Sequence, residues 1–191
     1  MTENGWKVYN KIVNGDCFYL DYGAYGALST EDRLEVYQGL ESRGDLLLPP
    51  ERLKEFVQGS MLSEKDRVIN DGFEVTLSDG ESHAFSLELA DQVKLIMLRV
   101  MALGGATQIP YEEKGKECRF YSAEDMTAIC DAAQNHVLYH TSYSNSLKNY
   151  IDSLTEGVDM YCVYYGMEVP TEYQSDVFKT LFASNDEKSA S

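Results

Sequence analysis

The sequence predicts an α+β fold, and three observations carry that prediction. Two segments alternate apolar and polar residues around a glycine-containing turn, as β-hairpins do. The first is Phe73, Val75 and Leu77 before Asp79-Gly80; the second is Gln108 to Tyr111 before Glu113-Lys114-Gly115-Lys116. Between them Leu89, Val93, Ile96, Met97, Val100 and Met101 recur at helical spacing and predict an amphipathic helix. After them apolar residues step alternately by four and three from Met126 to Leu154, which predicts one long C-terminal helix.

Taken in order, residues 6–22 read as two short strands. Trp6, Val8 and Ile12 alternate with polar residues, Asn14-Gly15-Asp16 turns the chain, and Cys17-Phe18-Tyr19-Leu20 returns. Gly23 and Gly26 mark a loop. Ser29-Thr30-Glu31-Asp32 is a helix start, with Ser29 as cap and acids in the first turn. Leu34, Tyr37 and Leu40 share one face of that helix, and Gly44 stops it. Pro50 opens a short helix reaching about Gly59, with Leu53, Phe56 and Val57 as its apolar face.

In the first hairpin His83, Phe85 and Leu87 fall on the returning strand. The helix after it runs from about Glu88 to Leu103 and ends at Gly104-Gly105. The second hairpin returns through Cys118 to Tyr121. Ser122-Ala123-Glu124-Asp125 is then a capping box with Asp125 in place of the usual Glu or Gln. The long helix that it opens reaches about Leu154. Its seam is Met126, Cys130, Ala133, Val137, His140, Ser144, Leu147, Ile151 and Leu154. Two polar members weaken that seam as a two-chain coiled coil, so packing within the chain is favoured, with homo-oligomerisation left open. Gly157 breaks the helix, and Val158 to Tyr165 fits a short helix or a strand. Gly166 to Pro170 is a turn, Thr171 to Phe182 a short helix, and the rest a polar tail.

Charge is the sharpest bulk feature. The 191 residues hold 32 acids and 16 bases, a net charge of −16, which disfavours direct binding to phosphate backbones and anionic lipid. The charge is uneven. Residues 1–85 hold 16 acids and 8 bases, residues 86–121 hold 5 and 5, and residues 122–191 hold 11 and 3. A neutral middle between acidic flanks is what a packed centre with solvated faces produces. With 43% hydrophobic residues the chain has material for a real core. The opening residues have no apolar run of the signal-peptide kind, and no stretch has the length of a membrane span. Cys17, Cys118, Cys130 and Cys162 make no C-x-x-C pair, so reduced thiols are expected rather than a zinc site or disulfides.

No local pattern carries catalytic chemistry. His136 and His140 stand four apart on one helix face, as zinc ligands do, but Val137 occupies the position where a metalloprotease has Glu, and no third ligand is evident. No G-x-S-x-G elbow, P-loop or G-x-G-x-x-G motif is present. The expectation is therefore a non-enzymatic protein with no metal and no cofactor. The candidate partner-binding residues are acids interleaved with tyrosines: Glu124, Asp125, Asp131, Tyr139, Tyr143, Tyr150, Asp152, Glu156 and Asp159. Carboxylates among aromatic rings imitate a phosphate backbone with its bases, and would meet a basic protein surface. The plainer alternative is a solvated helical face with tyrosines at its margins.

From Gly72 to Tyr173 the chain resembles a domain of unknown function common in tailed bacteriophages and prophages, often encoded among tail genes. The matching stretches are Ala90-Asp91-Gln92, Ile109-Pro110-Tyr111, Arg119 to Met126, His136 to Tyr143, and Tyr164 to Pro170. The resemblance implies a phage or prophage protein of the host bacterial cytoplasm or the virion that acts by binding protein. Two roles follow as expectations: a tail-associated or tail-assembly protein, or an acidic, anti-CRISPR-like inhibitor of a basic host defence effector. The expected organisation is an unrecognised α/β module over 1–70, the phage-type domain over 71–183, and a polar tail over 184–191.

Overall fold

The computed structural model describes residues 2–13, 28–42 and 50–182. In chain order the elements are α1 (Glu3–Val13), α2 (Thr30–Glu41), α3 (Pro50–Asp71), β1 (Phe73–Thr76), β2 (Ser82–Phe85), α4 (Leu89–Leu103), β3 (Ile109–Glu112), β4 (Cys118–Tyr121), α5 (Ala123–Ser153), α6 (Gly157–Tyr161), a 3-10 turn (Thr171–Tyr173) and α7 (Asp176–Leu181). The strands form two separate antiparallel pairs, β1 with β2 and β3 with β4. The α+β class is as the sequence predicts. No helix among the described residues is long and apolar enough to cross a membrane.

The chain divides into two compact units, Met1–Glu64 with Tyr143–Ser191, and Lys65–Ser142. The sequence reading places one division near residue 70; the chain instead returns to the first unit at Tyr143. The reason is the seam of α5. Met126, Cys130 and Ala133 belong to the core of the 65–142 unit, whereas Leu147 and Ile151 belong to the core of the other. The polar members His140 and Ser144 stand at the change of core. Packing within the chain, favoured for this seam, is what occurs.

In the first unit Val8, Val36, Leu40, Leu53, Val57, Leu147, Ile151, Met160 and Tyr161 are the centre of the core. Here residues 6–13 are helical, which corrects the strand reading. Thr2 caps α1 by accepting from the Gly5 N–H at 3.3 Å, and Lys7 pairs with Glu3 one turn away at 2.8 Å. The helix buries Val8 while Trp6 stays exposed, its ring edge-on to Tyr9 at 5.6 Å. An alternation of two residues in a short window fits either period, and the cap decided it. The rest of the supposed hairpin, 14–22, lies outside the described residues, as do the loop around Gly26 and the stop at Gly44.

The Ser29 cap of α2 is present, its hydroxyl accepting from the Asp32 N–H at 3.2 Å. Helix α3 runs 22 residues, well past the expected end at Gly59. Gly59 sits mid-helix, and a Cβ there meets nothing within 4 Å. Gly59→Ala is therefore expected to raise stability by about 0.5–1 kcal/mol, by lowering the entropy of the unfolded chain. Chemical denaturation checks it. The true stop is Gly72, whose φ of +96° and near contact with the Phe85 carbonyl admit no side chain. Past α5 the expected helix over Thr171 to Phe182 is broken: the 3-10 turn ends at Tyr173, and Ser175 caps α7 afresh through the Phe178 N–H.

In the 65–142 unit both hairpins are present where expected, except that β2 ends at Phe85 and Leu87, expected on the returning strand, lies beyond it. Phe73 pairs with Phe85 and Val75 with His83; Ile109 pairs with Tyr121 and Tyr111 with Arg119. Phe85 is fully buried, with ring neighbours Phe73, Tyr111 and Tyr121 at centroid distances of 5.8, 5.7 and 6.0 Å. Asp125 ties the first hairpin to the start of α5. Its carboxylate accepts from the Ser122 hydroxyl and from the Ser78 N–H and hydroxyl, while Ser122 accepts the Asp125 N–H.

Candidate functional site

All but Asp91, Gln92, Lys94 and Arg99 of the 15 residues of α4 are apolar. A helix apolar nearly all round needs cover on more than one side. The ends of α4 are well determined. Ser86 donates to the Asp91 carboxylate at 2.8 Å, and the Gln92 amide donates to the Leu87 carbonyl at 3.1 Å. At the other end the Gly105 N–H reaches the Ala102 carbonyl and the Ala106 N–H reaches that of Met101. With Gly105 at φ +89°, that is a Schellman stop.

Within its own unit α4 is covered on one side only. Leu95 and Ala102 are buried with Leu98 packed beside them, and the Cys130 thiol donates to the Leu95 carbonyl at 3.5 Å. The opposite side carries Leu89, Val93, Ile96, Val100 and Leu103, all exposed, with Leu89 at 74%, Ile96 at 67% and Leu103 at 76%. Met97 and Met101 flank them and are exposed as well. The apolar stripe legible in the sequence therefore faces out. Beside it a groove of about 320 Å³ runs between α4 and α5, lined among others by Leu95, Ile96, Cys130, Ala133, Val137 and Leu138. The cations of α4 are tied down: Arg99, which lines the groove, pairs with Asp131 at 2.6 Å, and Lys94, on the β3 side of the helix, pairs with Glu112 at 3.2 Å.

The acid and tyrosine candidates are dispersed. Seven of the nine, from Glu124 to Asp152, lie on α5, a helix of 31 residues and so about 46 Å long. Tyr143 is buried, which removes it from any binding face. Its hydroxyl donates to the Met167 carbonyl and accepts the Gly166 N–H. Tyr150 is half-buried against Tyr173, and Tyr139 is exposed. Asp131 is paired with Arg99, and Asp152 with Lys148 at 2.6 Å and with the Gln58 amide. Asp125 serves the cap. Glu124, Glu156 and Asp159 are exposed.

A polar cluster missed by the sequence reading joins the two hairpin turns of the 65–142 unit. His83 on β2 is 5% exposed and Glu113, just past β3, is 4% exposed. The two ring nitrogens of His83 face Asp79 Oδ2 and Glu113 Oε1, each at 3.0 Å. Glu113 also receives Arg119 at 3.2 Å, the Tyr121 hydroxyl at 3.1 Å and the Lys116 ammonium. Burial pushes the Glu113 carboxyl up, but hydrogen bonds from Lys116, His83 and Tyr121 outweigh it and hold the group at about 2. Donors and acceptors satisfy one another here, so the cluster acts as a clasp. A signal for it existed. Ile109, Tyr111 and Glu113 share one strand face by the period of two, and all three are buried.

The histidine pair is a packing feature. His136 Nε2 lies 3.3 Å from the Val68 carbonyl, and the rings of His136 and His140 meet edge-on at 4.5 Å. Among the described residues no three His, Cys, Asp or Glu side chains gather as metal ligands. Burial pushes up the thiols of Cys130 and Cys162, which makes both poor nucleophiles. Cys17 lies outside the described residues. In comparisons with protein-family models, curated proteins and solved structures, the chain matches none.

Proposed function

We propose that this chain is a non-enzymatic phage or prophage protein that works by binding another protein, and that α4 presents the binding face. The carrying observation is the uncovered stripe of Leu89, Val93, Ile96, Val100 and Leu103 on a helix whose C-terminal end is closed by a Schellman stop and whose other side is packed. Exposed apolar stripes of this size serve contacts between proteins. The setting follows from the resemblance of residues 72–173 to the phage tail-module domain, which favours a tail-associated or tail-assembly role in the host cytoplasm or the virion. Mass spectrometry of purified virions, with a deletion of the gene, tests this. The chain is expected in virions or in tail intermediates, and tails are expected to fail without it. Normal tails in the deletion, with no trace of the chain in virions, overturn the tail role.

The net charge of −16 supports a second reading, inhibition of a basic defence effector. That binding is steered by surface charge and weakens steeply with salt. Inhibition unchanged between about 50 and 500 mM salt, or no inhibition of any nuclease of the host, counts against it.

A further inference from the structure

We infer that the outward seam of α4 is the interface of a homodimer, in which the same seam of a second copy covers it. The inference rests on the reading of α4 as a protein-binding face and adds the partner. The seam steps by four, three, four and three through Leu89, Val93, Ile96, Val100 and Leu103. That is a heptad repeat with valine at both a positions and leucine or isoleucine at the three d positions, an unbroken apolar seam over the whole helix. Such a seam is matched by a helix carrying the same spacing. Among the described residues the other long seam, that of α5, is already spent on the chain's own two cores.

Area and charge point the same way. The five seam residues expose on the order of 600 Å² together, at the top of what a monomer usually leaves open, and Met97 at the seam's edge brings the face toward the roughly 800 Å² that each partner contributes to a standard interface. Copies of a chain with net charge −16 repel each other over most of their surface. The stretch from 86 to 121 is where acids and bases balance, five against five, and α4 lies inside it. Lys94 and Arg99, the two cations of α4, are already paired with Glu112 and Asp131, so apposed copies of the helix do not meet as bare like charges. Pairing layer on layer sets Ile96 against Val100 and Val93 against Leu103 of an antiparallel copy. The groove shared by α4 and α5 includes Ile96, so a second copy seated on the seam also covers that edge of the groove.

Sedimentation velocity and light scattering of the full chain, from about 1 to 100 µM, read this out together with far-UV circular dichroism. The wild type is expected to reach twice the 21.6 kDa chain mass. The double variant Ile96→Glu with Val100→Glu is expected to remain at the single mass throughout, at least 10-fold weaker in association, with unchanged helix content, because both side chains are exposed. Ile96→Leu is expected to keep the dimer. A wild type of single mass throughout overturns the inference, and so does a dimer that the double variant leaves intact. A single-mass wild type whose melting temperature falls in the double variant overturns it too, and assigns the cover to the chain's own residues. If a single-mass wild type captures a phage protein that the double variant does not, the dimer fails and the binding face stands. If the two capture alike, both fail.

Discussion

Glu113→Gln is expected to destabilise the 65–142 unit by about 2–3 kcal/mol at neutral pH. The carboxylate is buried and neutralises donors from three directions: His83, Arg119 with Tyr121, and Lys116. The amide keeps the shape and one acceptor but turns an NH₂ toward a cation. Arg119 and Lys116 are part-exposed and can turn to water, whereas His83 is held in the interior. That keeps the loss below the full cost of an unpaired buried charge. The pH dependence identifies the cause. The folded-state value of Glu113 is about 2, below its ordinary 4.5, so its contribution is present above 4.5 and is lost as pH falls from there to 2. Wild type and variant are therefore expected to converge in acid. Urea titrations at several pH values between 7 and 2 check this, and a gap that stays constant with pH rules out the carboxylate charge as its source.

Wild type is expected to lose about 1–2 kcal/mol between pH 6.5 and 4 through His140, and His140→Gln to lose that much less. Burial, with a smaller contribution from His136, holds the His140 imidazole down at about 4 against an ordinary 6.5. The unfolded chain thus takes up the proton first. The neutral ring's fit is kept above 6.5 and is lost as pH falls toward 4. His140 is half-buried, so screening by water keeps the loss below what the full shift implies. Between 6.5 and 4.5 the Glu113 contribution is still in place, so the difference between the two proteins over this interval reads His140. Equal losses in both proteins over it show that His140 is not the titrating group.

The hairpins, the limits of α4 and α5 and the Ser29 cap were legible because each is set by residues within a few positions. Gly80 and Gly115 turn the chain beside the strand alternation, and the Ser29 hydroxyl stands three residues from the Asp32 N–H that it caps. The strand reading over Trp6 and Val8 failed because a short alternation satisfies two periods, and the deciding group, Thr2, lay outside the pattern. The end placed at Gly59 failed because one glycine costs a long packed helix only about 1 kcal/mol. The break after Tyr173 went unseen because Ser175 caps a new helix inside an apparently continuous one.

The candidate site divides along the same line. Which residues of α4 are apolar, and that they recur at helical spacing, follows from the sequence alone. Which side of the helix is covered does not, because apolar residues lie on nearly all its sides and periodicity has no sign. Only the tertiary structure decided it, by setting Leu95 and Ala102 into the core and leaving Ile96 and Val100 in water. The same holds for Tyr143, equally at home on a face or in a core until Met167 and Gly166 claimed its hydroxyl. Local elements are set by short-range sterics and hydrogen bonds that the sequence encodes directly. The direction a face points is set by packing between segments distant in the chain.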